Sequence, residues 1–155
     1  MVIVAHSMGC TMSLFFLNIL TKSFKDKYIK SLVTLGGPWG GAVKALEVFA
    51  VGTDFGEKFI NDIPGLSFIT KDIVKTVERT QPSLAWMMPS SEIWPSEVLV
   101  KTDSNFVEHT AANLADYFNL LGVPNMAMMH EDTKTLTSSL VDPEVQVFCV
   151  MVIFI

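Results

Sequence analysis

Val2-Ile3-Val4-Ala5 is a short apolar run, mostly β-branched, that ends at a Gly-containing turn, the pattern of a fully buried strand. From Met12 to Phe24 the period changes. Leu14, Phe15, Leu17 and Leu20 recur at helical spacing and predict an α-helix. Ile29 to Leu35 is again a buried-strand run, stopped by Gly36-Gly37-Pro38-Trp39-Gly40-Gly41. Strand, turn, helix, strand is a βαβ unit, which implies a parallel sheet with a right-handed crossover.

Beyond Gly41 the pattern differs. From Ala42 to about Ile93, helical stretches alternate with breakers such as Gly52, Gly56, Pro64-Gly65 and Pro82, as in an insertion lying over a sheet. Val98-Leu99-Val100 reads as a short strand, and Ala111 to Leu121 as an amphipathic helix closed by Gly122. A further turn or two of helix is expected around Thr133–Leu140, then a strand over Val145–Ile155. That last run is well short of the ~20 residues needed to span a bilayer, so a buried strand is the better reading. The expectation is an α/β chain with three parts. Residues 1–41 form a core, 42–97 a cap or lid insertion, and 98–155 a return to the core.

At 155 residues the chain has room for one compact domain. Half the residues are hydrophobic, 17% are charged and the mean hydropathy is +0.41, which excludes disorder and suggests a chain that expects neighbours. A net charge of -5 supplies no basic field for phosphate backbones, so no nucleic-acid partner is expected. Cys10 and Cys149 alone rule out a disulfide framework. The opening Met1–Ala5 runs straight into His-Ser with no basic region or cleavage site, so no signal peptide is visible.

The chemistry is concentrated at Ala5-His6-Ser7-Met8-Gly9, a nucleophile-elbow pattern with Ala in place of the usual first Gly. A backbone turning sharply from strand to helix needs small residues beside the serine. Such a turn presents the Ser7 hydroxyl at the carboxyl edge of a sheet. It also aims the Met8 amide into the site as an oxyanion donor, near the positive end of the helix. The competing explanation makes Ser7 a helix N-cap, but leaves Gly9 unexplained where the helix is expected to pack closely on the sheet. His6 is expected on the opposite face of the strand, in a structural role. His109 and His130 read more readily as surface histidines than as a catalytic base. Acyl transfer through serine requires no cofactor and no metal.

These residues resemble the lecithin:cholesterol acyltransferase family, nearest to its lysosomal phospholipase A2 (group XV) branch. The resemblance is carried by the elbow, by Lys25-Asp26-Lys27-Tyr28-Ile29 and by Leu35-Gly36-Gly37-Pro38-Trp39-Gly40-Gly41. It continues in Trp86-Met87-Met88-Pro89, Trp94-Pro95, Val98 to Thr102, Asp116-Tyr117-Phe118, Asp132-Thr133 and Val145 to Cys149. It implies an α/β-hydrolase core, here partial, with a helical cap and a lid over a lipid cleft. It also implies transfer of an acyl chain from a glycerophospholipid onto serine, then to water or a lipid alcohol. By position, Ser7 resembles the nucleophile and Met8 the backbone oxyanion donor. Implied partners are phospholipid and lipid-alcohol substrates and a membrane or lipoprotein surface, in a lysosomal or secreted setting.

Asp54–Thr80 falls where the family has its lid. There Phe55, Phe59, Ile60, Leu66, Phe68 and Ile69 could meet lipid or form the core of a small cap. The family's acid and histidine follow its equivalent of Cys149, and its first strands precede the equivalent of Met1. On that resemblance the chain is expected to be a fragment, inactive alone, with Cys149 a half-cystine lacking its partner and Cys10 an unpaired thiol. The competing expectations are a catalytically dead domain that binds lipid or protein through its cap, and an unrelated α/β-hydrolase, against which the Pro-Trp-Gly-Gly stretch argues.

Overall fold

The computed structural model describes residues 1–52, 70–102, 107–138 and 140–151. The Phe55–Ile69 apolar positions of the expected lid lie outside these. The chain is mixed α/β and divides into two compact units, residues 1–39 with 136–155, and residues 40–135.

The first unit is built on a three-stranded parallel sheet in the order β1-β2-β5, with β1 Val2–His6, β2 Ser31–Leu35 and β5 Gln146–Val150. Register pairs Ala5 with Thr34 and Thr34 with Cys149, one rung below His6, Leu35 and Val150. Since side chains alternate between faces, Ile3, Ala5, Leu32 and Thr34 share one face. Helix α1 (Met8–Ile19) packs there, burying Cys10, Thr11 and Leu17 with Ala5, Ile29 and Leu32. Fully burying a leucine such as Leu17 or Leu32 contributes about 1.5–3 kcal/mol.

The helix expected over Met12–Phe24 is in fact two. Leu20 turns extended, and Thr21 restarts the chain as the N-cap of α2 (Lys22–Tyr28), its hydroxyl accepting from the Phe24 amide. A threonine that can cap stops one helix and starts another. The strands also depart from the buried expectation. Val2 and Val4 are exposed on the second sheet face, and every position of β5 is exposed at the sheet edge. The apolar composition foresaw the strands; burial depends on what covers them.

The second unit is helical. It comprises α3 (Val43–Val51), α4 (Lys71–Glu78), α5 (Pro82–Trp86), α6 (Leu114–Leu120) and α7 (Pro124–Ser138), with a small antiparallel pair, β3 (Val100–Thr102) and β4 (Val107–His109). Its core gathers Leu46, Phe49, Leu84, Met88, Leu114, Phe118 and Met126, with Phe49 and Phe118 edge-to-face at 5.1 Å. Arg79 lies over the Phe49 ring at 5.4 Å and donates to the Phe49 and Ala50 carbonyls, capping the end of α3.

Three further expectations are revised. The stretch expected as one helix from Ala111 opens as a 3-10 turn, Ala111–Asn113, fixed by a Thr110–Asn113 capping box, before α6 begins. The turn or two expected around Thr133 is the end of a longer helix that starts at Pro124, a residue favoured at the first helical position. His109 and His130 are not surface histidines: they are 2% and 8% exposed, packed against Tyr117 and Phe118 in the core.

Candidate active site

Ser7 stands between the last residue of β1 and the first of α1, with φ 52° and ψ −129°. Among the described residues only one other non-glycine, Glu144, has a positive φ. A side chain in this region costs of order 1–3 kcal/mol, and persists only where its surroundings over-determine it. Here the surroundings are specific. The Ser7 amide donates to the Leu35 carbonyl at 2.9 Å, and the Cys10 amide donates to the Ser7 carbonyl at 2.9 Å. One residue on, the Gly36 amide donates to the Val150 carbonyl at 3.0 Å, so the carboxyl ends of all three strands are tied together beside the turn.

The Ser7 side chain makes no capping hydrogen bond to α1, which removes the N-cap explanation for a serine here. Met8 occupies the first helical position, where an amide has no intrahelical acceptor and the helix dipole is positive. His6 is exposed on the sheet face it shares with Val2 and Val4, opposite the buried Ala5. It is not a packed structural residue.

The small-residue argument holds at some positions and fails at one. Ala5 is buried against the helix, and Cys10 is wholly enclosed. A Cβ on Gly37 would come within 2.9 Å of both Cys10 Cβ and the Trp39 indole, so the loop leaving β2 must be glycine there. Gly9, however, faces open space: a Cβ would meet nothing within 4 Å. The residue that packs closely on the sheet is its neighbour Cys10. The Cys10 thiol donates to the Leu35 carbonyl at 3.7 Å, and burial pushes its pKa up, so it is a protonated packing group rather than a nucleophile. Cys10 and Cys149 are both free thiols.

Sequence reasoning missed the lock around the turn, the Leu35 carbonyl and the Gly36 amide. Backbone groups leave no residue-type signal, although the Gly36-Gly37 pair marks where they sit. It also missed an apolar groove of about 350 Å³ in the helical unit, lined by Val43, Leu46, Ala50, Val51, Leu99 and Val100, with Tyr117 and the paired Lys44 and Glu47.

Comparison with known proteins extends across nearly the whole chain. The sequence profile described as Lecithin:cholesterol acyltransferase matches residues 1–152. The human protein named Lysosomal phospholipase A and acyltransferase is 34% identical over 149 residues, covering 96% of this chain and 34% of the human one. Mouse Phosphatidylcholine-sterol acyltransferase is 31% identical over 147 residues, covering 95% of this chain and 31% of the mouse one. The chicken protein of that name is 34% identical over 148 residues, covering 95% and 33%. The chain thus spans about a third of the length of these curated relatives.

Proposed function

The chain belongs to the lecithin:cholesterol acyltransferase family, and on that premise we propose that Ser7 is the nucleophile of a lipid O-acyltransferase or phospholipase. The observation that carries the reading is the uncapped Ser7 hydroxyl on a left-handed turn between a parallel strand and a helix.

In the proposed reaction Ser7 Oγ attacks the ester carbonyl of a glycerophospholipid. The Met8 amide, and the positive end of α1, stabilise the oxyanion that forms. Collapse breaks the acyl–oxygen bond, releases the lysophospholipid and leaves an acyl-serine. Water or a lipid alcohol then takes the acyl group and restores the hydroxyl. The serine proton needs a base. The family resemblance implies that both partners, an acid and then a histidine, come later in the sequence than Cys149, in the serine–acid–histidine order of such hydrolases. His109 and His130 do not fill that role: both Nδ1 atoms and His109 Nε2 are buried without hydrogen-bond partners.

We further propose that residues 42–97 act as the cap over the lipid cleft, and that their apolar positions meet acyl chains or a lipid surface. Substrates, lipid partners and a lysosomal or secreted setting belong to this proposal for the whole protein. The test is a fluorophosphonate probe applied to the 155-residue chain and to a version extended at both ends. Labelling is expected in the extended protein, abolished by Ser7→Ala, and negligible in the shorter chain. An extended protein with no Ser7-dependent labelling would make this a binding domain that has lost catalysis.

A further inference from the structure

The helical unit buries an ionisable side chain that the proposed chemistry does not use. His130 is 8% exposed, on the face of α7 that packs into the aromatic core, with the Phe118 ring edge-on at 5.9 Å and 79°. The imidazole bonds the Ala85 backbone on α5, and its Nδ1 is buried with no partner. An imidazolium there would present a second N–H, and a full charge, to an apolar enclosure.

The neighbouring groups offer little compensation. Helix α5 carries no titratable side chain; α6 carries Asp116, which is exposed, and Tyr117, which is buried. On α7 itself Glu131 and Asp132 are exposed, and Glu131 is paired with Lys134 at 2.5 Å, so its negative charge is largely matched by a positive one. Arg79 adds positive charge on the far side of the cluster, near Tyr117 and over Phe49. His109 stacks on Tyr117 at 5.1 Å and holds both ring nitrogens unpartnered.

We propose that His130 is an acid-sensitive latch, whose protonation separates α7 from α5 and α6 and loosens the unit spanning residues 40–135. Burial holds the His130 pKa below its ordinary value; the Ala85 bond and Glu131 oppose the shift, and Lys134 adds to it. The folded unit therefore binds fewer protons than the open one. Its stability is intact above the ordinary histidine value of about 6.5, and falls as pH drops from there toward the lowered folded value. In that window the open population rises up to about ten-fold per pH unit.

Amide hydrogen exchange by mass spectrometry on the whole chain, at dilutions where light scattering shows no association, reads this directly. After correction for intrinsic rates, amides of residues 114–135 are expected to exchange faster at pH 5.5 than at pH 7.5, by at most about ten-fold, while those of β1 and β2 change little. His130→Phe keeps an aromatic ring against Phe118, and His130→Gln keeps a donor for the Ala85 carbonyl. Either, whichever folds, should flatten the pH dependence. Equal protection at the two pH values in the unaltered chain would overturn the proposal. So would a pH dependence that survives in both His130 variants, or one removed by His109→Phe instead.

Discussion

The buried ammonium of Lys25 on α2 meets the carboxylate of Glu144 at 2.7 Å, and Glu144 holds a left-handed backbone, φ 56°, just before β5. The pair is lopsided: the Lys25 side chain is 3% exposed and that of Glu144 50%. Leaving a buried charge unpaired costs more than leaving an exposed one. Glu144→Gln is therefore expected to destabilise the chain by about 2–3 kcal/mol, whereas Lys25→Met, which removes the buried charge itself, should cost roughly 1 kcal/mol. Urea unfolding of the two variants checks the order. Equal losses would mean that the pair contributes through packing alone.

Two glycines of the quoted motifs should respond oppositely to alanine. At Gly41, φ is +83° and a Cβ would sit 2.2 Å from the Met88 carbonyl oxygen. Gly41→Ala should cost about 2–3 kcal/mol through strain and overpacking. Gly9 lies in α1 with open space around it, so Gly9→Ala should stabilise this chain by roughly 0.5–1 kcal/mol. Thermal melts of the two variants should move in opposite directions.

The strain at Ser7 makes a separate prediction about stability. Because the hydroxyl caps nothing, Ser7→Ala removes no stabilising bond and should leave the melting temperature nearly unchanged. Ser7→Gly relieves the φ of 52° and should stabilise by about 1 kcal/mol, offset in part by the freer unfolded chain. Calorimetry showing Ser7→Gly clearly less stable than Ser7→Ala would count against a strained turn.

The uncovered sheet face should make the chain self-associate. Val4 is 66% exposed and Phe148 47%, on the two outer strands of one sheet face with Val33 between them, and no described strand covers the β5 edge beside Phe148. Concentration-dependent light scattering is expected. Val4→Lys with Phe148→Lys should reduce it while shifting stability by no more than about 0.5 kcal/mol. Unchanged scattering in the double variant would place the association elsewhere.

The strand-to-helix turn at Ser7 was legible in the sequence because everything that makes it is local: an apolar run, a serine flanked by small residues, a helical period. The break at Thr21 was not, since apolar spacing runs through Leu20 and the deciding feature is a single hydroxyl reaching the Phe24 amide. His109 and His130 were misjudged for a related reason. Polar side chains beside charged neighbours look exposed, yet β4 and α7 turn those two positions into an aromatic core. Gly9 was explained by the wrong contact, because a motif gives spacing but not which neighbour fills the space. The burial of β1 and β5 depends on covering elements, which no strand pattern encodes.

Parallel pairing of β2 with β5 joins Leu35 to Val150, although the turn that holds Ser7 needs only β1, α1 and the end of β2. During synthesis those early elements emerge together, whereas their third strand waits for the intervening helical unit to be made. At typical rates of about 5–20 residues per second, the growing chain would carry an open β2 edge for roughly 5–20 seconds. The strained serine would stand for that time on two of the three described strands. The order of assembly thus sets a period when a holdase chaperone, or another nascent chain, competes with β5 for the same row of backbone groups.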